Sequence, residues 1–205
     1  MTMENKQANK AANKAAKWQI KKLPTGVILD RDGVINFDSP DYILTPEQWQ
    51  PIPGSLAAIA LLSRAGIVVS IASNQSALAR GMLDDATFAA IHVRMMLAIE
   101  AAGGQLSHVA YCPHGPDDQC ECRKPLSGLL VECLAAMRLP ADEVIMIGDS
   151  LRDVQAALTA GVRPLLVQSG YGDASAILKK AHALDADIAV FPDLQAAVNA
   201  LLHGD

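Results

Sequence analysis

The arrangement of apolar residues after Thr25 most constrains the fold, because short apolar runs alternate with segments of helical periodicity. The apolar runs predict six strands, at Val27–Leu29, Ile67–Ala72, His108–Tyr111, Val144–Ile147, Val162–Gln168 and Ile188–Phe191. The amphipathic segments predict six helices, at Pro53–Ala65, Asp84–Ala102, Leu126–Arg138, Leu151–Ala160, Ala174–Leu184 and Asp193–Leu202. Strands that alternate with helices form right-handed βαβ crossovers. The sequence therefore predicts an α/β fold, a Rossmann-like, doubly wound parallel sheet with helices on both faces.

The charge of the chain divides into a basic beginning and an acidic remainder. Residues 1–22 contain six lysines and one glutamate, a formal charge of +5, whereas residues 23–205 carry −10. Residues 1–22 have almost no apolar side chains to bury, so we predict a disordered extension; a weak anchor for an anionic surface is the alternative. Residues 23–205 are numerous enough to bury a core and are predicted to form one domain.

These features also limit the partners that we expect. No apolar run is long enough to span a bilayer, and no apolar signal segment follows Met1, so we expect a cytoplasmic protein without a membrane partner. The acidic domain argues against a broad grip on nucleic-acid phosphates, and no nucleic-acid partner is expected. A small anionic substrate is still compatible with the acidic domain, because a bound metal ion would reverse the electrostatic field within the site. We expect a monomer.

Polar residues follow three of the predicted strands at the point where each strand ends. Asp30-Arg-Asp32-Gly-Val34 follows the first, Ser73-Asn-Gln-Ser76 the second, and Gly148-Asp149 the fourth. Ligands bind outside the carboxyl ends of parallel strands, so Asp30, Asp32 and Asp149 are expected to converge there. Carboxylates crowded in this way favour Mg²⁺ as their partner. For Asp-x-Asp-Gly alone, a simple turn or a fragment of a calcium loop is the alternative interpretation.

The loop after the third strand contains a complete set of zinc ligands: Cys112, His114, Cys120 and Cys122. Three thiolates and one imidazole close a tetrahedral site, which is typical of a structural zinc ion. Disulfide bonding is the alternative, and the lack of an export signal disfavours it. A zinc ion would fold this loop and so position the Arg123-Lys124-Pro125 segment that follows. The fourth thiol, Cys133, lies on an apolar helical face and is predicted to be a core residue.

Taken in order, Asp30-Arg-Asp-Gly-Val34, Ser73, Lys124 and Gly148-Asp149 with Asp153 resemble the four motifs of the haloacid dehalogenase superfamily of phosphohydrolases. The resemblance implies that Asp30 is the nucleophile and that Asp32 is the general acid and base. It implies a Mg²⁺ site formed by the Asp30 carboxylate, the Asp32 main-chain carbonyl and Asp149. Ser73 and Lys124 would hold the phosphoryl oxygens. For Asp153, orientation of metal-bound water and capping of the following helix are both open.

Within this superfamily, the zinc loop resembles two branches of phosphatases. One acts on a heptose bisphosphate, a small phosphorylated sugar, during synthesis of lipopolysaccharide heptose precursors; the other acts on histidinol phosphate. The segments 30–36, 38–42 and 74–81 favour the heptose branch. Two residues depart from its pattern: Ser73 stands where threonine is commoner, and Ala77 stands where glycine is expected, which bears on the local backbone.

The same resemblance implies a set of substrate contacts. Four residues would line the sugar side: Asp38, Ser39, Pro40 and Asp41. Formation of a turn through Asp38-Ser-Pro40 is the alternative for this group, and both can hold. Four surround the phosphate: Ser73, Asn74, Gln75 and Ser76. Lys124 also contacts the phosphate, Arg123 binds the distal phosphate or the sugar, and Ser150 is a further contact. The segment between Asp30 and Ser73 holds little more than one helix and one strand, so no large cap domain is expected.

Two other classes of function stay open on the sequence. A non-enzymatic zinc module could bind nucleic acid through residues 1–22. A phospho-accepting receiver domain also uses an aspartate at a strand end together with Mg²⁺, but it has no need of Asp32 or of a zinc loop.

Overall fold

The computed structural model of the protein describes residues 22–204. Its centre is a six-stranded sheet formed by β1 (Gly26–Leu29), β2 (Val68–Asn74), β3 (His108–Cys112), β4 (Val144–Gly148), β5 (Arg163–Val167) and β6 (Ala189–Phe191). All neighbouring strands are parallel, in the order β3-β2-β1-β4-β5-β6. The predicted Rossmann-like, doubly wound sheet is confirmed, with β1 and β4 adjacent where the strand order reverses.

Six helices connect and cover the strands: α1 (Ser55–Arg64), α2 (Asp85–Ala101), α3 (Gly128–Met137), α4 (Leu151–Ala160), α5 (Ala174–Leu184) and α6 (Leu194–His203). The predicted boundaries are correct to within two residues. Three helices begin at an aspartate whose carboxylate accepts a backbone N–H of the first turn: Asp84 for α2, Asp173 for α5 and Asp193 for α6. Short 3-10 turns lie at Pro46–Gln48 and Ala141–Glu143.

The central strand β1 is buried on both faces, as a parallel sheet requires. Val27 and Leu29 pack into a core cluster with residues of α1, α2 and α6, whereas Ile28 packs into a second cluster with residues of α3 and α4. Between Asp30 and Ser73 the structure holds one 3-10 turn and α1, so no cap domain is inserted in this segment. Specificity must therefore come from the loops at the edge of the sheet.

The predicted extension, residues 1–22, lies outside the described residues except for Lys22, whose ammonium is 3.1 Å from Glu143 Oε1. Within residues 22–204, no helix combines the length and the apolar character needed to cross a membrane.

Candidate active site

The carboxyl edge of the sheet brings the predicted catalytic residues together around one cavity. Asp30 directly follows β1, and its backbone N–H donates to the Ile147 carbonyl of β4 at 3.0 Å. Ser73 lies near the end of β2, and Asp149 directly follows β4. The cavity has a volume of about 360 Å³. Its lining includes these predicted residues: Asp30, Asp32, Asp38, Ser39, Pro40, Ser73, Asn74, Gln75, Ser76, Arg123, Lys124, Asp149, Ser150 and Asp153.

Lys124 is the buried cation of the site. Its Nζ lies 2.9 Å from Asp30 Oδ2 and 2.5 Å from Asp153 Oδ1, and it donates a hydrogen bond to the Ala72 carbonyl at 2.8 Å. Burial alone lowers the pKa of Lys124, but the carboxylates of Asp153 and Asp30 more than offset this and raise it above its ordinary value. The Lys124 ammonium therefore stays charged at any pH at which the protein works.

Asn74 holds the backbone of Lys124 in place. The Asn74 amide donates to the Lys124 carbonyl at 3.0 Å and accepts from the Lys124 N–H at 3.0 Å. This reciprocal pair joins the end of β2 to the segment that leaves the cysteine loop. Asn74 is thus a structural link across the site as well as a lining residue.

Two of the carboxylates at this edge lack sufficient compensation from the protein itself. Burial raises the pKa of Asp30 to about 7, even though the Lys124 ammonium lowers it. Burial, with the negative charges of Asp153 and Asp30, raises the pKa of Asp149 to about 8. Oxygen atoms of Asp30, Asp149 and Asp153 all lie within 4.8 Å of one another. An oxygen-only set of this kind fits Mg²⁺, whose charge would offset the repulsion between them.

Two glycines make room for the Asp149 carboxylate. A Cβ atom on Gly170 would lie 1.8 Å from Asp149 Oδ2, and one on Gly33 would lie 2.6 Å from the same atom. The two loops are also tied together, because the Ser169 hydroxyl donates to the Gly33 carbonyl at 2.6 Å. The backbone at Gly33 and Gly170 therefore approaches the Asp149 carboxylate closely.

Asp153 has two roles in the structure, and both involve its buried carboxylate. Its Oδ2 accepts the Ser150 N–H at 3.0 Å and the Ser150 hydroxyl at 2.6 Å, which caps the start of α4. Its Oδ1 pairs with Lys124. Burial raises the pKa of Asp153, but Lys124 and Ser150 outweigh burial, so the net pKa is lowered. One oxygen thus caps the helix, as one of the two interpretations predicts, while the other oxygen holds the Lys124 ammonium.

Asp32 is surrounded by hydrogen-bond donors. Arg31 forms a bidentate pair with it, at 3.0 Å from Nε to Oδ1 and 2.8 Å from an Nη to Oδ2. Asn36 Nδ2 donates to Oδ1 at 2.8 Å, and Gln75 Nε2 donates to Oδ2 at 3.0 Å. Burial raises the pKa of Asp32, but these donors, Arg31 first, bring it below its ordinary value. Gln75 also donates to Ser73 Oγ at 2.8 Å, and so links Asp32 to Ser73.

Three of the four residues predicted for the sugar side line the cavity. Asp38, Ser39 and Pro40 line the cavity, and burial with the nearby Asp32 charge raises the pKa of Asp38 to about 6. Asp41 does not line it and is exposed. Asp41 belongs to a tight turn, in which its N–H donates to Ser39 Oγ at 3.1 Å, and the chain returns to the cavity at Tyr42 and Ile43.

The substitution of Ala77 for glycine does not disturb the loop after β2. Ala77 is buried in the core, and the non-glycine residues with a positive φ among residues 22–204 are Tyr42, Gln119 and Arg138. Alanine therefore fits the backbone at this position without strain.

The four predicted zinc ligands form one cluster. Cys112 Sγ lies 3.7 Å from Cys120 Sγ and 3.2 Å from Cys122 Sγ, and His114 Nδ1 lies 3.5 Å and 3.3 Å from the sulfurs of Cys112 and Cys122. Sulfurs on one tetrahedral zinc ion lie about 3.8 Å apart, so the cluster fits the ion. All four cysteines of the chain are free, which argues against the disulfide alternative. Cys133 is a buried core residue, as predicted.

The zinc loop positions Arg123. An Nη atom of Arg123 donates to the carbonyl of the ligand His114 at 2.9 Å, while the side chain also lines the cavity. The loop after β2 meets the same segment, because the Ala79 N–H donates to the Pro113 carbonyl at 3.1 Å. A zinc ion would therefore stabilise one wall of the cavity.

Several residues that line the cavity were not singled out in the sequence: Arg31, Tyr42, Ile43, Arg80, Pro116, Arg152, Tyr171, Gly172 and Ile177. Three of them have a signal in the sequence. Arg80 closes the polar segment that begins at Ser73, and Arg152 lies in the first turn of the helix after Asp149. Tyr171 follows β5 at the same edge of the sheet, where ligands bind in such folds.

The parallel sheet and the carboxylate-lysine cluster at its carboxyl edge define a phosphohydrolase of the haloacid dehalogenase class. A family model described as HAD-hydrolase-like matches residues 121–197. D-glycero-beta-D-manno-heptose-1,7-bisphosphate 7-phosphatase of Pseudomonas putida is 49% identical over 147 residues, which are 72% of this chain and 84% of that protein. The same enzyme of Pseudomonas aeruginosa is 43% identical over 177 residues, 86% of this chain and 97% of that protein.

A solved structure agrees with these relatives. The D,D-heptose 1,7-bisphosphate phosphatase of Bordetella bronchiseptica, complexed with magnesium and phosphate, superposes with a TM-score of 0.79 at 43% identity and covers 88% of this chain and 99% of that one. The chain belongs to the family of D-glycero-beta-D-manno-heptose-1,7-bisphosphate 7-phosphatases.

Proposed function

We propose that the protein is a Mg²⁺-dependent phosphatase that removes the 7-phosphate of D-glycero-D-manno-heptose 1,7-bisphosphate in the synthesis of lipopolysaccharide heptose precursors. The observation that carries the chemistry is the Asp30–Lys124 pair at the floor of the cavity, beside Asp32 and Asp149. The identity to heptose phosphatases over most of the chain supports the choice of substrate.

In the first step, an Asp30 carboxylate oxygen forms a bond to phosphorus while the bond from phosphorus to the sugar oxygen breaks. An entering phosphate can take over the Arg31 and Gln75 donors that keep the pKa of Asp32 low in the free protein, so that Asp32 carries a proton when the substrate is bound. The departing alkoxide takes this proton from Asp32, and the products are the free sugar hydroxyl and an aspartyl-phosphate. Lys124 and the Ser73 hydroxyl lie where they can hold the non-bridging oxygens of the transferring group. In the ground state, the Lys124 ammonium also offsets the negative charge of the Asp30 carboxylate. This reduces the repulsion between the anionic nucleophile and the anionic phosphate.

In the second step, water attacks the phosphorus of the aspartyl-phosphate. Asp32, now deprotonated, accepts a proton from this water, and the bond between phosphorus and Asp30 breaks to release inorganic phosphate. Asp30 and Asp32 then return to their starting states. One carboxyl group thus serves as acid and base in turn, and the sum of the two steps is hydrolysis.

The Mg²⁺ ion, held by the Asp30 carboxylate, the Asp32 main-chain carbonyl and Asp149, would supply positive charge beside the phosphoryl group. Within residues 22–204, Asp149 forms no ion pair with a cationic side chain, which is consistent with a metal ligand. Asp153 instead forms an ion pair with Lys124 and holds its ammonium in place.

The cations around the cavity favour a substrate with a second phosphate. Lys124 and Arg31 are already paired with carboxylates, whereas Arg80 and Arg152 line the cavity and their side chains form no hydrogen bond or ion pair within residues 22–204. Arg123 uses one Nη atom on the zinc loop and has donors left over. These three guanidinium groups are therefore able to bind the 1-phosphate, which a monophosphate such as histidinol phosphate lacks.

Comparison of kcat/KM for heptose 1,7-bisphosphate and for histidinol phosphate tests this substrate choice, and it should include both anomers of the heptose. We expect the bisphosphate to be preferred by a factor of at least about 10, since even one lost charge-assisted contact is worth about 1.5–3 kcal/mol, or about 10–160-fold. A preference for histidinol phosphate would overturn the proposal in favour of the other zinc-loop branch. Sustained release of inorganic phosphate over many turnovers would also distinguish an enzyme from a phospho-accepting receiver domain.

A further inference from the structure

Asn36 is a buried side chain that contacts the acid–base residue from outside the cavity. It is 0% exposed and does not line the cavity, yet its Nδ2 donates to Asp32 Oδ1 at 2.8 Å. The same Nδ2 donates to the Phe37 carbonyl at 2.9 Å. Both amide protons of Asn36 are thus used, one on the catalytic carboxylate and one on the backbone.

The indole of Trp49 decides which end of the Asn36 amide faces Asp32. Trp49 is 1% exposed, and its Nε1 donates to Asn36 Oδ1 at 3.0 Å. An indole N–H can only donate, so it can only be satisfied by the amide oxygen. With the oxygen held by Trp49, the amide nitrogen must face Asp32. If the amide were reversed, two oxygens would meet at Asp32 and two N–H donors would meet at Trp49.

The backbone around Asn36 fixes the same arrangement. The Gly33 N–H donates to the Asn36 carbonyl at 2.8 Å, and the Asn36 N–H donates to the Arg31 carbonyl at 3.2 Å. Asn36 therefore closes the loop that carries Asp32, and its side chain acts from a position that the backbone has already set.

The remaining donors to Asp32 differ from Asn36 because they face the substrate. Arg31 and Gln75 line the cavity, so an entering phosphate can take over their N–H groups. Asn36 is shielded from the cavity and keeps its hydrogen bond when substrate is present. Of the hydrogen bonds to Asp32, the one from Asn36 is the one that can hold this carboxyl group throughout the reaction.

We propose that Trp49 and Asn36 form a positioning pair, in which the Trp49 indole orients the Asn36 amide and the amide aims the Asp32 carboxyl group at the leaving oxygen. The inference rests on the proposed function, because it assumes that Asp32 protonates a sugar alkoxide. Neither residue touches substrate. Their effect is expected only in steps in which Asp32 transfers a proton.

The test compares two esters that differ in their need for that proton. Departure of a sugar alkoxide requires general-acid assistance, whereas p-nitrophenolate is stable enough to leave without it. Trp49→Phe keeps the aromatic packing but removes the donor. We expect this variant to lower kcat for heptose 1,7-bisphosphate by about 5–20-fold and to leave KM within about twofold of wild type. This loss is a part of the rate enhancement of about 10²–10⁴-fold that general acid catalysis contributes. The first-turnover burst of p-nitrophenol from p-nitrophenyl phosphate should stay within about twofold of wild type.

Ser55→Ala is the matched control, because it also removes a buried hydrogen bond in this region, from the Ser55 hydroxyl to the Ile35 carbonyl at 2.6 Å. It has no contact with Asp32. We expect it to lower thermal stability without changing the ratio of the two rates.

A double-mutant cycle separates positioning from packing. If Trp49 acts through Asn36, the variant that combines Trp49→Phe with Asn36→Ala should be no slower on the heptose bisphosphate than Asn36→Ala alone. The inference would be overturned if Trp49→Phe lowered the rates on both esters equally. It would also be overturned if the rate losses of the two single variants multiplied in the double variant. Should Asn36→Ala fail to fold, the comparison of the two esters in Trp49→Phe decides by itself. Absence of heptose bisphosphate turnover in the wild type would instead refute the proposed function.

Discussion

Replacement of Lys124 by alanine probes the electrostatic centre of the site, because this one ammonium lies between two buried carboxylates. Its side chain is 2% exposed, and Nζ is 2.9 Å from Asp30 Oδ2 and 2.5 Å from Asp153 Oδ1. Removing one partner of a buried ion pair costs about 3–5 kcal/mol, since the other charge is left without a counter-charge. We expect Lys124→Ala to lower the free energy of unfolding by about this amount near neutral pH, and to abolish turnover.

The loss of stability should depend on pH in a definite direction. Burial raises the pKa of Asp153, but Lys124 outweighs it and brings the folded-state value below the ordinary 3.8. The stability contributed by this pair is therefore fully present above the unfolded-state pKa, and it is lost as the pH falls through the lower folded-state pKa. The difference in unfolding free energy between wild type and Lys124→Ala should be largest near neutral pH and should shrink in acid.

Urea unfolding of the metal-free protein, at neutral pH and in acid, measures both expectations. Lys180→Ala, which removes an exposed lysine from α5, is the control and should change the unfolding free energy by no more than about 0.5 kcal/mol. A Lys124→Ala protein as stable as wild type at neutral pH would refute the reasoning, because Asp30 and Asp153 would then not depend on Lys124 for their charge balance.

Three further predictions concern the nucleophile and the metals. Asp30→Asn should abolish phosphate release without lowering the melting temperature, because it removes a buried carboxylate whose pKa is raised to about 7; retained turnover would contradict the covalent mechanism. Mg²⁺ should raise the melting temperature more above about pH 8 than near pH 5, because Asp30 and Asp149, with pKa values raised to about 7 and about 8, bind the cation only when deprotonated; equal shifts would exclude this. Elemental analysis should find about one zinc ion per chain, and Cys120→Ser should lower both the zinc content and the melting temperature; a fully stable, zinc-free protein would contradict the zinc loop.

The fold was predictable from the sequence because its signals are local. Short apolar runs with helical segments between them leave few arrangements other than a doubly wound parallel sheet, and the aspartate caps mark where helices begin. The convergence of Asp30 and Asp149 follows from the same rule, since the ends of parallel strands meet at one edge. The zinc ligands were visible because all four fall within eleven residues, 112–122.

The partners of Asp32 were not predictable in the same way. Trp49 contacts Asn36 across 13 residues of loop, and that contact depends on how residues 36–51 fold back on the sheet, for which no periodic pattern exists. The roles of Asp153 were left open because sequence spacing cannot distinguish a cap from an ion pair, and the structure uses one oxygen for each. The exposure of Asp41 was not predictable either, because it depends on the turn that its N–H forms with Ser39 Oγ.

Identification of the product tests the central proposal most directly. Purified protein should be incubated with heptose 1,7-bisphosphate and Mg²⁺, and the reaction followed by phosphorus NMR, which resolves the ester on the primary C7 oxygen from the ester on the anomeric C1 oxygen. We expect the C7 signal to disappear, inorganic phosphate to accumulate in equal amount, and the C1 signal to persist. Loss of the C1 phosphate, or no hydrolysis of either ester, would contradict the assignment as a heptose 7-phosphatase.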